Sequence, residues 1–281
     1  MNALALVLAV VIGLTLGLLG GGGSILTVPT FVYVLGFAPK QAIALSLPVV
    51  GATSLFGAIG HGRAGNVNTR IALIFGGVSF VGSFISARLS RFISGEVQLA
   101  LLGAIMLAAA ALMYRGASRA MPATGSTASG GAEAGDPAHV PGHPMWKIGL
   151  VALGVGLLTG LVGIGGGFVF VPALVLFARL PMKVAVGTST LVIAINTVGA
   201  FLGYHATTEV PWRFLGLFTL IAVGGILSGA YLVRFIAPAM LRRAFAIFLL
   251  VVGSFMLVER GWKLARARQA DTAGLSHTAP G

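Results

Sequence analysis

With 281 residues, no cysteine, 57% hydrophobic and only 9% charged residues, the chain cannot clothe a soluble domain, which carries about 25% charged residues. The absent cysteines exclude a disulfide scaffold, thiol catalysis and iron–sulfur ligation, and a mean hydropathy of +1.00 excludes a disordered chain. The 18 Lys and Arg against 6 Asp and Glu give a net charge of +12. Those charges punctuate long apolar runs, which points to a lipid bilayer and away from nucleic acid.

Eight stretches lack Asp, Glu, Lys and Arg: 1–39, 41–62, 71–87, 97–114, 148–178, 184–208, 214–233 and 244–258. A crossing takes about 20 apolar residues. Six stretches suit one crossing each; the first and fifth are too long. Each of those two carries a glycine cluster, Gly20-Gly21-Gly22-Gly23 or Gly163-Ile164-Gly165-Gly166-Gly167. The apolar residues beyond each cluster (Ile25 to Gly36, Phe168 to Ala178) are too few to cross alone. The expectation is a full helix, a break, then a half-helix, with the broken backbone facing protein or a water-filled cavity. The first base is Lys40, so no positive region marks a cleaved leader and the first stretch is expected to be retained. Trp146-Lys147, Trp212-Arg213 and Trp262-Lys263 mark headgroup layers.

The sequence matches itself at an offset of 143 residues. Gly22-Gly23 falls on Gly165-Gly166, Val28-Pro29 on Val171-Pro172, Lys40 on Lys183, Ser46 on Ser189, Arg70 on Arg213, and Arg91-Phe92-Ile93 on Arg234-Phe235-Ile236. The fold class is therefore an all-α polytopic membrane protein. It has two homologous repeats of about four transmembrane helices, each with a glycine-broken first helix and a half-helix. The domains expected are a first repeat over 1–114, a flexible linker over 115–145, a second repeat over 146–259 and a basic tail over 260–281. An even number of crossings per half makes the repeats parallel and an odd number inverts them; the half-helix decides. On a count of eight, Arg70 and Arg213 share one membrane face. His139 and His143 are separated by Pro141-Gly142, which denies them a shared helix face, so no metal site is expected.

Glycine costs about 1 kcal/mol in a helix interior, so its clusters need a reason. Gly13, Gly17 and Gly160 suit close helix packing. The clusters themselves suit breaks that expose backbone N–H groups at half-helix starts, where the dipole also favours an anion. Gly21, Gly22, Gly23, Ser24, Gly165, Gly166 and Gly167 are therefore candidate substrate-binding residues. Ser46, Thr188, Ser189 and Thr190 enter the next crossings as candidate donors to anion oxygens; returning the bond to their own helix is the alternative. Asn196, whose repeat mate is Thr53, serves substrate contact and helix–helix adhesion equally well. His61, Tyr204 and His205 close the same crossings as candidate gating or proton-handling groups, with Arg70 and Arg213 at the entrance.

All six acids lie outside the charge-free runs. A cation in transit would lack the carboxylate that cation-coupled pumps place at depth, so the expected partners are a small anion and the bilayer, with no nucleic acid. A homo-oligomer is compatible with this. No catalytic residue and no cofactor is expected. The chain has no Walker A sequence, and Gly163 to Gly167 neither follows a strand nor precedes the acid of a dinucleotide site.

Gly17-x-x-Gly20-Gly21-Gly22-Gly23 with Val28-Pro29, repeated as Gly160-x-x-Gly163-x-Gly165-Gly166-Gly167 with Val171-Pro172, resembles the TauE/SafE sulfite exporter family of membrane permeases. The Ala42…Ser46 and Ala185…Ser189 pairs fit as well. The resemblance covers roughly 10–114 and 146–258. It implies a multi-pass transporter of the bacterial inner membrane, an exporter of sulfite, organosulfonates or related sulfur oxyanions. The first motif departs from the second at Gly21 for Ile164 and Ser24 for Gly167. A permease for another small anion or metabolite, and a membrane scaffold that transports nothing, are the alternatives.

Overall fold

The structure, a computed structural model, describes residues 3–119, 145–163, 167–204, 211–237, 239–241, 243–256 and 258–259. Among them there is no strand. The helices are α1 (Ala3–Leu19), α2 (Gly22–Pro29, prolonged by a π-helical turn, Thr30–Val34), α3 (Pro39–Arg63) and α4 (Thr69–Leu89). They continue with α5 (Gly95–Arg119), α6 (Met145–Val162), α7 (Gly167–Leu176), α8 (Met182–Tyr204) and α9 (Trp212–Leu232). A last helix, α10, spans Ala239–Met256. The protein is an all-α polytopic membrane protein. Helices α3, α4, α8, α9 and α10 are long and apolar enough to cross a bilayer. The six charge-free runs expected to cross once coincide with α3, α4, α5, α8, α9 and α10. Helix α5 runs on to Arg119, into the stretch expected to begin the linker. His139, His143, Trp262 and the tail fall outside the described residues.

The burial pattern suits lipid. Leu73 and Leu220 are exposed, whereas Ser46, Thr53, Ser83, Thr188, Ser189, Thr190 and Asn196 are buried. A hydroxyl or amide turned toward hydrocarbon would lose its hydrogen bonds, so these groups turn inward and find backbone or side-chain partners. Trp146 and Trp212 stand exposed at the starts of their helices, with the Lys147 ammonium 5.7 Å from the Trp146 ring.

Glycine sets how closely the helices approach. Gly13 of α1 meets the Ala222 backbone of α9, and Gly17 meets Ile226 and Gly229 one turn on. Their offset mates repeat this: Gly156 of α6 meets Ser79 of α4, and Gly160 meets Ser83. A methyl at any of the four would enter neighbouring backbone, so these glycines are packing residues. Each helix pair runs parallel and joins one sequence repeat to the other.

Helices α3 and α8 form the centre and run antiparallel. Gly51 faces Thr197, Gly57 faces Thr190, and Gly187 faces His61. Because α3 and α8 are offset mates, mated elements point in opposite directions. An odd number of passes per half produces this, with α2 and α7 counted as return segments. Arg70 and Arg213 therefore do not share a face, contrary to the eight-crossing expectation. The start of α4 lies at the start of α8, where the Asn68 N–H donates to Thr188 Oγ1 at 2.9 Å. Helix α9 runs alongside α3, Gly57 against Ile226 and Gly60 against Ala230, so Arg213 sits at the opposite end.

Lys40 Nζ donates to the Arg91 carbonyl at 3.2 Å, and its mate Lys183 donates to the Arg234 carbonyl at 3.1 Å. Each satisfies an orphan carbonyl of the 3-10 turn that ends α4 or α9. Both bonds are exposed, so Lys183→Ala is expected to lower stability by no more than about 1 kcal/mol, checked by thermal melting in detergent.

Candidate functional site

The first break is shorter than its glycine run. Gly20 adopts φ +67°, a left-handed conformation that glycine reaches without a Cβ penalty, and its N–H donates to Leu16 O at 2.8 Å. Gly163 does the same at φ +71°, donating to Thr159 O at 2.8 Å. Gly21 caps α2, while Gly22 and Gly23 already lie inside the helix. Four consecutive glycines therefore make a two-residue break, a correction to the longer interruption expected. The rest of the cluster serves close packing: Gly23 lies against Ile12 and Leu16, folding α2 back along α1. In the second half α7 begins at Gly167; Gly165 and Gly166 fall outside the described residues.

The starts of the two half-helices touch. A methyl on Gly21 would strike the carbonyl of Gly167, and one on Gly167 would lie 2.8 Å from Ser24 Oγ and 2.9 Å from Gly21 Cα. Ser24 and Gly167 are offset mates, so the starts of α2 and α7 meet at the centre of the pseudo-symmetry. Two positive helix ends are brought together there. Pro29 and Pro172 lie inside these short helices; at Pro29 the winding changes from α to π, a local effect of the missing N–H.

Behind the breaks stand α3 and α8. Gly20 packs on Val186 and Ser189, while Gly163 packs on Ile43 and the Tyr204 hydroxyl. Ser189 Oγ lies 2.6 Å from the Gly20 carbonyl and 2.7 Å from the Val186 carbonyl, buttressing the first break. Ser46 Oγ donates to Ile43 O at 2.7 Å, Ser24 Oγ to Gly21 O at 2.7 Å and Thr190 Oγ1 to Gly187 O at 2.6 Å. These hydroxyl protons are engaged by backbone. That is the return of the bond to the chain's own backbone that was the alternative reading of these hydroxyls.

The remaining candidates separate. Asn196 Nδ2 donates to Thr159 Oγ1 at 3.3 Å, and the Asn196 carbonyl accepts from Ser83 at 3.1 Å, tying α8 to α6 and α4. The mates of Ser79, Ser83 and Thr159 are Ala222, Ile226 and Leu16, so this polar seam, which joins the two halves, has no counterpart between α1 and α9. His61 and Tyr204, themselves mates, are buried. His61 Nε2 lies 3.0 Å from Gly17 O, and the Tyr204 hydroxyl donates to Leu161 O at 3.3 Å, so each reaches the helix end before a break. Arg70 and Arg213 stand exposed, one at each end of the α3–α8 pair; His205 is outside the described residues. Gln98 is an addition. Its Nε2 donates to Leu161 O and to the Tyr204 hydroxyl, both at 2.8 Å. A carboxamide within the charge-free run 97–114 was the signal available for it. No group of three or more His, Cys, Asp or Glu suited to a metal occurs among the described residues.

Comparison with known proteins agrees with this architecture. The family described as sulfite exporter TauE/SafE matches residues 5–256. A probable membrane transporter protein of Xylella fastidiosa strain 9a5c is 33% identical over 261 residues, covering 89% of this chain and 92% of that protein. The probable membrane transporter proteins YunE and YdhB of Bacillus subtilis are 29% and 25% identical. YunE covers 91% of this chain and 98% of its own length; YdhB covers 88% and 96%. No solved structure matches. By the extent of these matches the chain is a membrane transporter and belongs to the sulfite exporter TauE/SafE family.

Proposed function

We propose that the protein is a secondary transporter, an exporter of sulfite, organosulfonates or related small sulfur oxyanions across the bacterial inner membrane. The anion binds where the starts of α2 and α7 converge. The contact between Gly21 and Gly167 carries this proposal. Amide hydrogens and two positive dipole ends favour negative charge there, and no carboxylate within the charge-free runs competes for the place. With the starts of α2 and α7 packed backbone to backbone, a guest enters only as α2 and α7 part. The mated, antiparallel scaffold lets each end open in turn. The sulfur in this assignment rests on the family, the negative charge on the convergence.

The test is a screen of sulfite, thiosulfate, sulfoacetate, taurine, sulfate and acetate against the purified protein. One sulfur oxyanion is expected to stabilise it by about 2.7 kcal/mol at a hundred times its Kd, and to exchange across proteoliposomes. Equal melting shifts for every anion would refute the sulfur assignment. Movement of cations without any oxyanion would refute the anion site.

A further inference from the structure

His61 is fully buried in the last turn of α3. Its Nε2 lies 3.0 Å from the Gly17 carbonyl. A carbonyl only accepts, so Nε2 carries the hydrogen and Nδ1 holds a lone pair. That lone pair has no hydrogen-bond partner, a costly state for a buried acceptor. The ring lies between water and the break. Gly62 to Gly65, next along the chain, are exposed, and Gly17 is one turn before Gly20.

The surroundings decide what Nδ1 can take. Gly187 of α8 packs on the His61 Cβ, the Asn66 carbonyl lies on Gly187, and α9 places Ala230 against neighbouring Gly60. None of these titrates. The charged residues nearest along the same elements are Arg63, Arg70, Lys183 and Arg234, all cations, and α1, α3, α4, α8 and α9 contain no Asp or Glu. An imidazolium here has no protein counter-charge. The Gly17 carbonyl, at the negative end of α1, favours it only in part. Its Tyr204 mate provides no second such base, since a phenol bonded to Gln98 and Leu161 fills that place.

We propose that His61 is the proton-coupling group, and that the anion at the breaks is the counter-charge that lets Nδ1 accept a proton. A proton from water on the Arg63 side adds to the Nδ1 lone pair and Nε2–H stays on Gly17. Anion and proton occupy the protein together and leave together, returning the ring to neutral. Each then raises the affinity for the other by one shared coupling energy. This rests on the anion-transport reading, and the experiment separates the two.

Proteoliposomes are assayed with labelled sulfoacetate and sulfite for exchange at equal pH and for uptake driven by a pH gradient. With the membrane potential clamped at zero, one proton moved per anion lets a one-unit gradient accumulate substrate about tenfold, whatever the charge of the anion. Wild type is expected to show this accumulation. His61→Gln, which keeps an N–H for Gly17 but cannot bind a proton, is expected to accumulate nothing and to exchange only with a raised half-saturating anion concentration that no longer varies with pH. Wild-type exchange without gradient-driven uptake, or uptake retained in His61→Gln, overturns the coupling role and leaves transport standing. Loss of exchange in His61→Gln at saturating anion also overturns it, because the residue then serves packing. If wild type exchanges neither anion, the transport reading itself falls.

Discussion

Gly21→Ala is expected to abolish most transport while leaving the protein inserted and folded. The new methyl has nowhere to go: it meets the Gly167 carbonyl and the Phe168 nitrogen, which are backbone atoms that cannot rotate aside. The methyl then stands between the starts of α2 and α7, in the place the anion takes when they part, and covers the backbone groups that would bind it. Overpacking costs about 1–3 kcal/mol; about 2 kcal/mol taken from anion binding is roughly a thirtyfold loss of affinity. Gly167→Ala should match it, pressing on Ser24 and Gly21 from the other side. Gly77→Ala is the control: no atom lies within 4 Å of its new methyl, and alanine improves helix propensity by up to about 1 kcal/mol. Exchange in proteoliposomes and elution as a single detergent peak are the measurements. Full exchange by Gly21→Ala would remove the breaks from the mechanism.

Gly156→Val carries the largest expected stability effect. Gly156 lies against Ser79 Cα and its carbonyl on α4, and a branched side chain would force α6 from α4 along the whole crossing. The expected loss is about 3 kcal/mol, the upper end of overpacking, seen as a fall in melting temperature and in yield of folded protein. Gly154→Val, where the added Cβ meets open space, should stay within about 1 kcal/mol, the penalty of a β-branched residue in a helix. Equal melting of the two variants would show that glycine does not govern the crossing.

Much of the helical plan is legible in the sequence because it follows local rules. Uncharged runs of bilayer length become helices, and α4 and α9 occupy mated positions, Thr69–Leu89 and Trp212–Leu232. The break positions are legible too, since among the described residues of the two clusters Gly20 and Gly163 alone take the left-handed conformation. The extent of the first break is not. Gly22 is as free of side chain as Gly20, and only packing on α1 returns its neighbour Gly23 to a helix. Gly17 and Gly160 read as packing residues, and that is their place. His61 and Tyr204 are legible as polar groups that close their runs; their burial and their bonds to Gly17 and Leu161 are not, because those partners lie on distant segments.

By itself the sequence determined that this is a multi-pass membrane protein written as two mated halves, each broken at a glycine. Hydrophobicity, charge spacing and conformational freedom belong to single residues and their near neighbours. Only the tertiary structure decided that mated helices run antiparallel, that the starts of α2 and α7 meet, and that Arg70 and Arg213 stand at opposite ends. It also decided that the Ser24, Ser46, Ser189 and Thr190 hydroxyls bond to backbone carbonyls. These depend on contacts such as Gly21 with Gly167 and Gly20 with Ser189, formed between distant segments, for which neither repeat alone holds the geometry.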